Sequence, residues 1–480
     1  MNYITEGFEP SKVLKIFEDI CAIPHGSGNE GGVADYIENY AKARGLFCLR
    51  DELNNVFIRK DATAGYENIP AILFQGHTDM VCEKTADSDH DFLKDGLKLS
   101  IKDGKYLWAD GTTLGGDDGV AVAMMLALLD REKHPTLEML FTVEEETGLG
   151  GAIGFDCSPV TAKRMINLDS EEEWQVTAGC AGGNRTEITF ALDRSVITED
   201  ESVLKVSLTG LAGGHSGVDI NTGKSNAIVL MGRLLAVANA KTPIRLIAIN
   251  GGGKDNAIAR ECFATFAVKE DKDAAYAIAS EVIEIKKELS SDDDGFLVKI
   301  DYVDAEEGAI SLEATEKILA FMNCVRTGVL KMSNDIKGLV EYSRNLGVAK
   351  TNSDELNLTF SARSSLEAQL DMAVREMNML ASLVGADCRH YARYPGWEYQ
   401  PKSALRELYL DAYEKRFGKR LEVCVIHAGL ECGILSSKMP GIDAISIGPT
   451  MFDIHSPDEH LDLESVANVW QVVCDIVENR

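Results

Sequence analysis

Three short apolar runs that each end in carboxylates constrain this chain more than any other feature. Ala71 to Phe74 leads through Gln75 and Gly76 into His77, Thr78 and Asp79; Leu137 to Val143 ends in Glu144, Glu145 and Glu146; Arg164 to Leu168 ends in Asp169, Ser170 and three glutamates. Predominantly apolar runs of this length read as strands buried on both faces of a parallel sheet. In open α/β sheets ligands collect beyond the carboxyl ends of the strands, where all three runs deliver their charges. A fourth place is TTLGGDDG, where Gly115 and Gly116 permit a tight turn and Asp117 and Asp118 open the apolar helix GVAVAMMLALLDRE. A helix N-terminus favours carboxylates, and two aspartates there are ordinarily caps. Four such places between His77 and Glu173 read instead as a cation and ligand site. His77 and Asp79, at i and i+2, share one side of the strand. Asp79 is therefore expected to accept from the His77 ring nitrogen facing away from a metal, fixing the tautomer.

Composition excludes several classes. With 480 residues and 45% apolar content, the chain is long enough for two or three domains. It has no run of 18 apolar residues and no basic, apolar leader at MNYITEGFEP, and so reads as a soluble cytoplasmic protein. Eleven cysteines with no C-x-x-C form neither a disulfide framework nor a zinc ribbon, leaving buried free thiols as the expectation. A net charge of −29 argues against nucleic acid or an anionic membrane as partner. GGGK at 251–254 is no phosphate loop, because Asp255 stands where Ser or Thr is needed.

Helical patterns at Lys12 to Ile23 and Gly31 to Arg44, with short strands at Leu46 to Arg50 and Val56 to Arg59, open an α/β domain. Residues 83–105 read as an acidic, irregular surface loop. From 186 to 395 the order becomes strand, helix, strand, strand, helix, strand, approximately repeated. That repeat suggests two ferredoxin-like halves in an inserted α+β domain. Helix Ala404 to Phe417, strand LEVCVIH, a helix after His427, strand IDAISIG and the loop TMFDIHSPDE then restore α/β character, before a last helix from near Glu464. The expected fold class is α/β, a mixed, largely parallel sheet flanked by helices over 1–185 and 396–480, with the insertion at 186–395.

HTD at 77–79, LGGDDG at 114–119, EEETG at 144–148, INLDSEEE at 166–173, GGHSG at 213–217 and GPTMFDIHSPDE at 448–459 together resemble the M20 family of dinuclear metallopeptidases. Within it they are most similar to the bacterial aminoacyl-histidine dipeptidases, and the six motifs occur in order over essentially the whole chain. The resemblance implies a catalytic domain with a lid inserted in it and two divalent ions, zinc by preference, with cobalt or manganese as alternatives. It makes Asp117 the carboxylate shared by both ions, with His77 and Asp169 completing one and Glu146 and His455 the other. A bridging water completes each set, and the peptide bond after Asp117 is implied to be cis. Glu145 is implied to be the general base and Asp79 the partner of His77. His215 is implied to stabilise the oxyanion with Asn256 assisting, and Arg363 to clamp the substrate's C-terminal carboxylate.

The activity so implied is hydrolysis of unblocked dipeptides, Xaa-His and broader. An N-acyl amino acid deacylase or tripeptidase on the same scaffold, and a non-catalytic metal-containing binding protein, are the alternatives. A homodimer through the lid is compatible with the resemblance and not required for catalysis. Asp118 departs from the family, where Asn is frequent, and Glu144 precedes the usual glutamate pair; Thr147 and Gly148 keep Glu145 and Glu146 in register. Cys82 is read as core, and His427 as a strand-end histidine either packing under the site or belonging to it.

Overall fold

Segments that are predominantly apolar end with both faces covered. The computed structural model describes residues 3–305, 307–334 and 336–479. Strands Ile72–His77 and Leu137–Thr142 are buried at every position and run parallel, and Arg164–Asn167 and Asp443–Ser446 continue the parallel run. Further strands, antiparallel at Phe47–Arg50, Val56–Lys60 and Gln175–Cys180, complete an eight-stranded sheet in the order Phe47–Arg50, Val56–Lys60, Leu137–Thr142, Ile72–His77, Arg164–Asn167, Asp443–Ser446, Gln175–Cys180, Glu422–Ile426. The fold is thus mixed α/β.

The helix Gly116–Leu128 is buried along its whole length, as a helix apolar all round must be. It packs on helix Ser11–Cys21, whose Phe17 ring lies where a Cβ on Gly119 would meet it at 3.0 Å. Phe17, Ile20, Phe74, Met124, Phe141 and Val469 share one apolar core. Truncating such an aromatic to Ala costs about 3–5 kcal/mol, so the helix start bearing Asp117 is rigidly seated. The stretch read as irregular loop contains a strand, Leu99–Lys102, in a four-stranded sheet with Tyr106–Ala109, His460–Asp462 and Met451–Phe452. Its half-buried residues lack the alternation that marks a strand. The last two of these strands bracket the loop carrying His455.

Contacts divide the chain into two units: residues up to Gly179 with Tyr399–Val425 and from Leu430 onward, and Cys180–Glu398 with Ile426–Gly429. His427 thus groups with the second unit, where the Ala181 N–H donates to the carbonyls of Ile426 and Ala428. The second unit holds a nine-stranded sheet, ordered Leu297–Tyr302, Ser202–Thr209, Cys262–Val268, Ile244–Gly251, Val340–Thr351, Glu355–Ser364, Gly182–Ala191, Asp387–Tyr394, with Gly328–Met332 also on Val340–Thr351. The first four strands form an inner half running from 202 to 302, and Gly182–Ala191 serves as first strand of the outer half although it precedes the inner one. The chain enters and leaves the inner half through a two-stranded pairing, Arg194 with Ile310 and Ser195 with Ala309. Helices Ala227–Lys241, Asp271–Glu288, Leu312–Cys324 and Glu367–Val384 cover the sheet, and one apolar core, including Leu204, Phe266, Leu346 and Phe360, runs across both halves.

Candidate metal centre

Three strands of the parallel run, Ile72–His77, Leu137–Thr142 and Arg164–Asn167, lead into charged groups of one cluster. His77, the last residue of Ile72–His77, is almost fully buried. Its Nδ1 donates to the Asp79 carbonyl at 3.0 Å, with the Asp79 carboxylate at 3.4 Å. The ring nitrogen thus faces both oxygens of the expected partner residue, the backbone carbonyl being nearer than the carboxylate. The tautomer is fixed either way, leaving Nε2 toward Asp117 Oδ1 at 3.1 Å and Asp169 Oδ1 at 3.6 Å. The Asp79 carboxylate has other partners: it accepts from Ser27 Oγ at 2.8 Å and from the backbone N–H groups of Glu145 and Glu146 at 3.0 and 3.3 Å. A buried carboxylate so placed pins the loop after strand Leu137–Thr142.

Asp117 faces two imidazoles. Its Oδ2 lies 3.2 Å from His455 Nε2, which in turn lies 3.0 Å from Glu146 Oε1. The Asp117–Asp118 peptide is cis, as the resemblance implies. Ligand atoms of His77, Asp117 and Glu146 fall within 4.8 Å of one another, and so do those of His77, Asp118 and Asp169. Asp118 is thus a carboxylate with ligand geometry to which the sequence reading gave no role. Its Oδ2 accepts the His77 N–H at 3.1 Å, while its Oδ1 is buried with no hydrogen-bond partner among the described residues. Gly76 makes room for it, since a Cβ there would come within 2.5 Å of Asp118 Oδ2.

Electrostatics follow from burial and crowding. Burial alone would raise Asp117, but hydrogen bonds from His455 and His77 outweigh it and hold the carboxyl well below its usual range. Asp169 has weaker opposition and is pushed up to about 8 by burial, with the Asp117 and Glu431 carboxylates adding to it. Glu145 is raised well above the usual range by burial first, then by Asp169, Glu431 and Glu146. His455 rises to about 11 because Asp117 and Glu146 both accept from it. Four aspartate and glutamate ligand candidates, Asp117, Asp118, Glu146 and Asp169, surround the imidazoles of His77 and His455 and outnumber them. Together with the orphaned Asp118 Oδ1 and a donor set of nitrogen and oxygen, this suits hard or borderline divalent cations.

The second unit assembles a different group. His215, in the two-residue strand Gly214–His215, pairs with Ala257. A neutral imidazole has one acceptor nitrogen, yet both ring nitrogens of His215 face N–H donors, Val218 N at Nδ1 (3.3 Å) and Arg363 Nη2 at Nε2 (3.4 Å). Burial and the neighbouring Arg363 keep the ring below its ordinary value. Arg363 Nη1 donates to Tyr394 Oη at 3.1 Å, and its Nε is buried without a partner. The Asn256 carbonyl accepts from the Ser216 N–H, bracing the residue after His215. His427 Nε2 meets Ser343 Oγ at 2.7 Å. Tyr394 and Ser343 went unremarked in the sequence, where each sits inside an ordinary strand pattern. Cys82 is exposed, contrary to its reading as core, because it lies past the strand in the following loop. Only Cys21, Cys180, Cys262 and Cys432 are buried, so most thiols are not core residues.

A mixed α/β sheet with a carboxylate and imidazole cluster at its strand ends, in a chain whose second, α+β unit carries an arginine and histidine cluster, is the build of a metallopeptidase, and residues 73–479 match the peptidase family M20/M25/M40. The chain belongs to that family. It is 38% identical over 473 residues to the cytosol non-specific dipeptidase of Escherichia coli, covering 98% of this chain and 97% of that one. Its structure is similar to that of the aminoacylhistidine dipeptidase from Vibrio alginolyticus, with a TM-score of 0.91 and 35% identity over 99% of this chain and 97% of the other. It shares its fold with the aminopeptidase PepT from Bacillus cereus, at a TM-score of 0.57 and 17% identity over 98% of each chain.

Proposed function

We propose that this chain is a dinuclear metallo-dipeptidase that hydrolyses unblocked dipeptides. The observation that carries the reading is the shared carboxylate of Asp117, with one oxygen toward His77 and the other toward His455. Its two long relatives, named as dipeptidases, support it. His77, Asp117 and Asp169 would hold one ion and Asp117, Glu146 and His455 the other, zinc by preference and cobalt or manganese as alternatives. When bound, such ions polarise a carbonyl and lower the pKa of water.

The chain's own groups do the rest. Glu145, next to a ligand and not itself one, takes a proton from the attacking water and delivers it to the departing amine nitrogen. Asp79 holds the backbone of Glu145 and Glu146 in place through both N–H groups. In the second unit, the N–H groups of Val218 and Arg363 converge on the two ring nitrogens of His215, an excess of donors that suits an anion. Arg363 is assigned to the substrate's C-terminal carboxylate, and His215, assisted by Asn256, to the oxyanion of the tetrahedral intermediate. A cytoplasmic setting belongs to the same reading; among the described residues no helix is long and apolar enough to cross a membrane.

The test is hydrolysis of a panel after chelation and metal add-back: β-alanyl-histidine, other Xaa-His pairs, unrelated dipeptides, a tripeptide and an N-acetyl amino acid. Metal-dependent cleavage confined to free dipeptides is expected. Glu145→Gln should lose about 10²- to 10⁴-fold in kcat with metal content unchanged. Preference for the acetylated compound or the tripeptide would overturn the substrate assignment, and wild-type turnover in Glu145→Gln would overturn the base.

A further inference from the structure

Glu459 lies four residues beyond His455 and is nearly fully buried, yet among the described residues no cationic side chain pairs with it. Its carboxylate is enclosed by backbone. Oε2 accepts from the N–H groups of Leu114 (2.8 Å) and Gly115 (3.1 Å), and Oε1 from those of Gly116 (2.8 Å) and Asp117 (3.4 Å). Four consecutive N–H groups converging on one anion form a nest, which Gly115 makes possible at φ +65°. A Cβ on Gly116 would stand 3.3 Å from Glu459 Oε1 and 3.1 Å from Met451 Sδ. The loop that offers the carboxylate is itself braced, with Glu459 N–H donating to the Ser456 carbonyl and Ser456 Oγ to the Asp453 carbonyl.

A carboxylate buried this deeply is tolerated only where it is fully hydrogen-bonded. Its partners could have been any four donors. They are those of the turn that ends in Asp117, while the chain that supplies the carboxylate also supplies His455. We infer that Glu459 is a positioning residue that locks the Asp117 turn to the His455 loop, setting the separation of these two groups and hence the affinity of the ion they would share. The inference rests on the two-ion reading above. No role was attached to Glu459 in the motif HSPDE, because a contact reaching back 342 residues is invisible along the chain.

Glu459→Gln keeps the size of the side chain but turns an amide N–H₂ toward two of the four N–H groups. Titration of the metal-stripped chain with Co²⁺, followed by chelator competition and by visible absorption, resolves two binding steps. The expected result is an about 10- to 100-fold weakening of the step that His455→Asn also removes, the other step staying within about threefold. Gly116→Ala presses on the same contact with the carboxylate retained, and is expected to weaken the same step; it carries the test if Glu459→Gln does not fold. Co²⁺ affinities within about twofold of wild type at both steps, or equal losses at both that track a lower metal-free Tm, would overturn the inference and leave the proposed function standing. Failure of the wild-type chain to bind Co²⁺ would overturn both.

Discussion

Asp79→Asn separates two jobs that one side chain performs. If Asp79 served only to orient His77, the substitution would be nearly silent, since the nearer acceptor for Nδ1 is the Asp79 backbone carbonyl at 3.0 Å, which Asn retains. The carboxylate, however, also takes the N–H groups of Glu145 and Glu146. With Asn, Oδ1 keeps the Glu145 bond, and the amide nitrogen replaces the oxygen that accepts from Ser27 and Glu146. The Ser27 hydroxyl can turn round to accept; the Glu146 N–H cannot. An N–H stranded in this way costs about 1–3 kcal/mol, which is about 5- to 150-fold in rate if it is expressed in the position of Glu145 and Glu146. Steady-state kinetics at saturating metal should therefore show kcat lowered by that factor. Ser27→Ala, which removes one bond and strands no N–H, should cost about 2- to 10-fold. A kcat for Asp79→Asn within about twofold of wild type, or full recovery on adding excess metal, would refute the reasoning.

Arg363→Ala should raise KM for free dipeptides by about 10- to 150-fold, the worth of one or two charge-assisted hydrogen bonds, and leave C-terminally amidated ones nearly unchanged; equal effects on both would remove the carboxylate role. His427 offers a pH test within the second unit. Burial first, then Arg363 and His215, lowers it from 6.5 to about 3. Between those values only the unfolded chain binds the proton, so the folded state loses stability as pH falls through this window, by about 2 kcal/mol at pH 5. His427→Gln should flatten the dependence of Tm between pH 7 and 5, and an unchanged slope would show that the folded ring protonates.

What could be read from the sequence follows from how each segment is buried. Ile72–His77 and Leu137–Thr142 are covered on both faces and announce themselves as mainly apolar segments, with Glu138 the one charged side chain buried within the latter. Gly182–Ala191 does not, because its inward residues include Asn184 and Thr186, which satisfy each other and His390 by side-chain hydrogen bonds. Polar residues at core positions hide the alternation on which strand assignment rests. His77, Glu146 and Asp169 were legible because each follows an apolar strand and Asp117 because it opens an apolar helix, whereas His455 came from the resemblance. Asp118, Ser27 and Glu459 were not, since each acts on a backbone group or side chain at least 41 residues away in sequence.

The inner half of the second unit is nested inside the outer one, and its entrance and exit are hydrogen-bonded to each other at Arg194–Ser195 and Ala309–Ile310. Such a gate decouples length from topology. A chain could shorten or lengthen between residues 196 and 308 without moving a strand of the outer half out of order. The shared core sets the limit on that freedom, because Leu346 and Phe360 lie in the same apolar cluster as Leu204 and Phe266. A relative that dispensed with the inner half would need another apolar surface over those side chains, and a second copy of the outer half would be one way to provide it.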